Sequence, residues 1–122
     1  MSDAETSSTI TLEWPTDPAF RAVGRLVLGG VAARTALSVE RVDELGLAVD
    51  ALAHAPTTDD RLQLEIQVEP TRLVALAGSF TDDPLADQAI RRVVDALADT
   101  SGSVERAGGR WVEMSLRLPD GG

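Results

Sequence analysis

The segment SVERVDELGLAVDALAHAP, residues 38–56, places an aspartate and the chain's one histidine four residues apart. On a helix that spacing sets Asp50 and His54 one turn apart, within reach of a hydrogen bond or a modest charge interaction. Two readings follow. The pair can do chemistry. Equally, it is what a solvated helix edge looks like close to a C-terminus, where a histidine gains from the helix dipole. Other chemistries are excluded more firmly. The chain has no cysteine, which removes disulfides, thiolate metal sites and cysteine nucleophiles. With a single histidine, a zinc site would need several carboxylates converging on it. There is no GxSxG elbow, no glycine-rich dinucleotide fingerprint and no EF-hand loop.

Charge narrows the partner. The chain carries 20 acidic and 11 basic residues, a net charge of -9, and all the basic residues are arginines. Such a surface repels phosphate backbones and anionic membranes, so a protein or a small neutral molecule is expected as ligand, not nucleic acid or lipid. Nothing approaches the roughly 18 apolar residues of a membrane span. The opening MSDAETSS is polar, without the apolar run of a signal peptide. The expectation is a soluble, cytoplasmic protein with residues 1–8 disordered, one domain over 9–118 and a loose tail at 119–122.

The elements that must position the pair are legible from periodicity. TITLEWP alternates Ile10, Leu12 and Trp14 on one face, a half-buried strand. Asp17-Pro18 then opens a helix with Phe20, Val23, Val27 and Val31 as its stripe and Arg21, Arg25 and Arg34 off it. Ser38 caps the quoted helix, with Arg41 where a full capping box has Glu. Its stripe is Val42, Leu45, Val49 and Leu52, with Asp43, Asp50 and His54 on another face. RLQLEIQVEP is a strand with Leu62, Leu64, Ile66 and Val68 inward, and a turn at Pro70 leads into RLVALAG as its hairpin mate. A third helix is expected from Asp83-Pro84 to about Thr100, burying Leu85, Ala89, Val93 and Leu97 with help from Ile90 and Val94. Two strands about Gly108-Gly109 close the chain, with Val112, Met114, Leu116 and Leu118 on one face. The implied fold class is α+β: a two-layer sandwich of about three helices on one face of a mixed, mainly antiparallel sheet of about five strands.

This order, with LAVDALAHA and the closing GGRWVEMSL, resembles the anti-sigma-factor serine kinases, GHKL or Bergerat-fold ATPases, in their divergent actinobacterial form. The likeness spans nearly the whole chain. It implies a Bergerat-like fold lacking the ATP lid, because only about ten residues separate the strand ending near Gly78 from the third helix. Aligned without gaps, it implies that Asp50 stands where the family has its acidic catalytic residue and His54 where it has the magnesium-binding asparagine; an alternative with a short deletion matches His54-Ala55 to the family's terminal His-Ala and leaves no residue at the asparagine. Imidazole is a poor stand-in for an amide oxygen towards magnesium. LAGSFTDDP keeps Gly78 of the family's adenine-binding turn but lacks the preceding aspartate and the second glycine.

The resemblance with these losses implies a pseudokinase: a regulator of transcription that works by partner switching, gripping a sigma factor or an anti-anti-sigma partner. No cofactor is expected. If any nucleotide site survives, it is a Mg-ATP site drawing on Asp50, His54 and Gly78, in a residual serine kinase. A homodimeric scaffold is the third reading. The candidate partner surfaces are the Arg21/Arg25 ridge and Trp111, which falls on the strand face opposite Val112 and either packs under a helix or is exposed at an edge.

Overall fold

In RLQLEIQV every second side chain is driven to one face of the strand, and Leu62, Leu64 and Ile66 are fully buried while Gln63, Glu65 and Gln67 stay partly exposed. The computed structural model describes residues 8–17, 19, 26, 29–30, 38–106 and 109–118. In chain order their elements are β1 (Ser8–Pro15), α1 (Val39–Leu52), β2 (Arg61–Val68), β3 (Arg72–Phe80), a 3-10 turn (Pro84–Ala86), α2 (Gln88–Leu97), β4 (Thr100–Arg106) and β5 (Gly109–Arg117). The strands form one sheet in the order β1-β2-β3-β5-β4.

The expected fold class needs correction on two points. Every neighbouring strand pair is antiparallel, so the sheet is not mixed. The reason lies in α2, which carries the chain from the end of β3 across the sheet to the start of β4. Such a crossover makes two strands parallel, but β5 folds back and inserts between them, pairing antiparallel with both. The Bergerat-like mixed arrangement is therefore absent among the described residues. Second, two α-helices are delimited there instead of about three. In the stretch read as a first helix, Leu26, Gly29 and Gly30 are helical, and Asp17 accepts a hydrogen bond from the Ala19 amide at 2.9 Å. The stripe Phe20, Val23, Val27 and Val31, and the ridge Arg21 and Arg25, lie outside the described residues.

Helix α1 follows its sequence signals. The Ser38 side chain accepts from the Arg41 amide at 3.2 Å, which satisfies one of the open donors of the first turn. Arg41 turns outward to Glu44 and Asp99, each at 3.3 Å. Leu45, Val49 and Leu52 are buried as the stripe requires, with Ala48 beside them, and Val42 packs at the margin.

The third predicted helix divides. Asp83 caps only the short 3-10 turn, accepting from the Leu85 amide at 2.9 Å. At Asp87 the backbone is extended, and its carboxylate accepts from the amides of Ala89 and Ile90 at 2.8 and 3.3 Å, which starts α2 afresh. That restart shifts the helical phase. Ile90 and Val94 point into the core, whereas Ala89 and Val93, expected inside, are exposed. The helix also stops at Leu97, because Thr100 already belongs to β4 and the Asp99 amide donates to the Ser115 carbonyl.

The core lies between the helices and one face of the sheet. Leu62, Leu64, Ile66, Leu73, Ala75, Ala77, Val112, Met114 and Leu116 meet Leu45, Leu52, Leu85 and Val94 there. Each large aliphatic side chain so buried contributes about 1.5–3 kcal/mol. Val74, Leu76 and Trp111 are also buried but on the opposite face of the sheet, apart from that cluster. No helix among the described residues is long and apolar enough to cross a membrane.

Candidate functional site

The end of α1 is fastened to the end of β3. After Leu52 the helix tightens, with the His54 amide donating to Ala51 at 3.2 Å and the Ala55 amide to Leu52 at 3.0 Å. Thr57 then bridges Phe80, the Thr58 amide donates to Ser79 at 3.0 Å, and the Thr81 amide donates back to Pro56 at 3.1 Å. This short zipper brings residues 54–56 beside residues 82–84, and α2 packs along α1 from there.

A groove of about 510 Å³ opens between the two helices. Leu47, Ala51 and His54 line one wall, and Ala89, Ile90 and Val93 the other. Leu47 is 47% exposed and Val93 36%, so both stand out from the core with much of their apolar surface in water. One end is acidic: Asp82, Asp83 and Asp87 all border the groove, and no arginine among the described residues lines it. Asp87 is held by its cap, and Asp83 accepts from Leu85 and from the Ser103 hydroxyl. The arginines of α2 face elsewhere: Arg91 pairs with Asp95 at 3.5 Å along the outer surface.

The residues singled out in the sequence are not gathered here. His54 borders the groove, exposed, just past the end of α1. Asp50 lies in the last turn of α1, half-buried, and is not among the lining side chains. Both take part in contacts of their own. Gly78 is on the other side of the sheet altogether. A Cβ placed on it would come within 2.5 Å of the Trp111 ring, so the glycine serves a close side-chain approach rather than a ligand. The three positions that the resemblance assigns to Mg-ATP therefore do not converge, and the carboxylates beside His54 would oppose a triphosphate.

Trp111 is 6% exposed on β5, which lies inside the sheet between β3 and β4, not at an edge. Its ring is stacked between Gly78 and the guanidinium of Arg106, whose carbon sits 4.9 Å from the ring centroid. Arg106 continues to Glu65 at 3.4 Å. Arg21 and Arg25 lie outside the described residues.

What sequence reasoning missed was the groove itself. Its signal was present as surplus: Leu47 and Ala51 fall outside the stripe of α1, and α2 carries Ala89 and Val93 beside Ile90 and Val94. Among the described residues no three histidine, aspartate or glutamate side chains are grouped to hold a metal ion. No protein-family model matches this chain, and no curated protein matches it either.

Proposed function

We propose that the chain is a regulatory protein of the anti-sigma type, acting in the cytoplasm by stoichiometric binding to a sigma factor or an anti-anti-sigma partner, without phosphoryl transfer. One observation carries this reading. Beside His54, one of the three positions that the resemblance assigns to nucleotide, there is an aliphatic groove from which Leu47 and Val93 protrude into water. Exposed apolar surface of this kind, rimmed by polar groups, favours macromolecular contact over catalysis. The separation of Gly78 from His54 and the carboxylates at the groove's end support it from the other side.

The test is transcription by reconstituted polymerase with each sigma factor of the host, titrated with the purified chain. Inhibition of one sigma factor at equimolar chain, unchanged by ATP, is the expected result. Inhibition that needs ATP, or no inhibition of any sigma factor together with no complex with an anti-anti-sigma domain, overturns the reading. Thermal melting with Mg-ATP is a companion measurement: native-state binding must raise the midpoint, and no rise is expected.

A further inference from the structure

Helix α2 presents more apolar surface than its core contact uses. Ile90 and Val94 are buried, while Ala89 and Val93, one position earlier in each turn, are exposed and border the groove. Helix α1 does the same, with Ala48 and Leu52 inside and Leu47 and Ala51 lining the groove. Two antiparallel rows of small and branched aliphatic side chains, spaced one helical turn apart, form a trough into which the ridge of a third helix packs. Beyond His54, the polar groups bordering that trough are acceptors at one end: Asp82, Asp83 and Asp87.

We infer that the groove takes an amphipathic helix of a partner protein, its apolar stripe laid between Leu47 and Val93 and arginines or lysines on its flank meeting Asp82, Asp83 and Asp87. This rests on the protein-binding reading above and specifies the chemistry of the partner. Charge selects the occupant. Phosphate-bearing ligands are repelled by the three carboxylates, and a second copy of a chain with net charge -9 would bring more negative charge to an acidic rim. A cationic helix gains from both the rim and the field of the whole molecule, which speeds its encounter and fixes its direction along the groove.

The probe is a fluorescently labelled peptide of about 16 residues with leucines three and four apart and arginines along one flank, read by anisotropy against the full chain. Saturable 1:1 binding is expected, weakening with added salt. A peptide with glutamates in place of the arginines should bind about tenfold more weakly or less. Leu47→Gln with Val93→Gln should weaken the arginine peptide by a similar factor while the melting curve moves little, since both side chains lie outside the core cluster and keep part of their surface in water. Asp82→Asn, which disturbs neither helical cap, should reduce the salt dependence.

Absence of saturable binding overturns the inference, and so does equal binding of the glutamate peptide. Light scattering that shows a dimer dissolved by the Leu47/Val93 double variant also overturns it, in favour of a second copy. The two readings separate cleanly. Peptide binding without inhibition of any sigma factor or complex with an anti-anti-sigma domain retains the groove and removes the anti-sigma function. Sigma inhibition that the double variant leaves intact does the reverse.

Discussion

The two faces of the sheet bury their surplus hydrophobes by different means. On the helix side, α1 and α2 cover the aliphatic core but leave Leu47, Ala51, Ala89 and Val93 along an open groove. On the other side a single large ring, Trp111, is seated on Gly78 and overlaid by Arg106, which is itself anchored to Glu65. One apolar surface is covered by an arginine of the neighbouring strand, and the other stays open among the described residues. A long arginine can shield a ring because its stem is apolar and its head stays in water. The groove has carboxylates at its margin, short side chains that keep their charge beside the trough and offer no such cover.

Substitutions can break this comparison. The largest effect should come from Trp111→Ala, which removes the ring that fills the second face. A loss of about 3–5 kcal/mol in denaturant unfolding is expected, whereas a partner-binding surface tryptophan would leave stability nearly unchanged. Gly78→Ala should cost about 1–3 kcal/mol, because the added methyl overlaps the indole. Arg106→Ala should cost about 1 kcal/mol, from the lost ring contact more than from the exposed pair with Glu65. The Leu47→Gln/Val93→Gln double variant should shift stability by no more than about 0.5 kcal/mol and act on binding instead. A gain closes the series: Asp60 has φ of 58°, the left-handed region, so Asp60→Gly should stabilise by about 0.5–1 kcal/mol, read as a raised melting temperature.

Where a residue's fate depended on its own segment, the sequence was informative. The period of two in RLQLEIQV and the stripe of α1 placed Leu62, Leu64, Ile66, Leu45, Val49 and Leu52 correctly, because alternation and helical spacing are local properties. Strand adjacency is not local. That β5 would come between β3 and β4 depends on pairing across the whole sheet, and a mixed sheet was the natural expectation for a strand, helix, strand succession. The shifted phase of α2 had a local cause, but Asp83-Pro84 and Asp87 are both good starts, and only the extended backbone at Asp87 shows which one governs the helix. A stripe counted from Asp83-Pro84 places Val93 in the core, whereas it borders the groove. The chemistry of the site was the least legible part. Asp50, His54 and Gly78 drew attention by type and spacing, yet the sheet separates Gly78 from the other two, whereas the groove is built from residues that no motif marks.

The register of β1 against β2 has a kinetic side. Pro15 sits opposite Arg61 and Ser8 opposite Val68, so this pairing closes a loop holding everything in residues 16–60, while β2 with β3 and β4 with β5 close over a few residues each. Short loops form at small entropic cost and long ones at greater cost. The two hairpins are therefore expected to form first, with β1 joining last at one edge. Under native conditions the amides of β1 should be the first of the sheet to exchange with solvent, opening as a unit while the central strands stay closed.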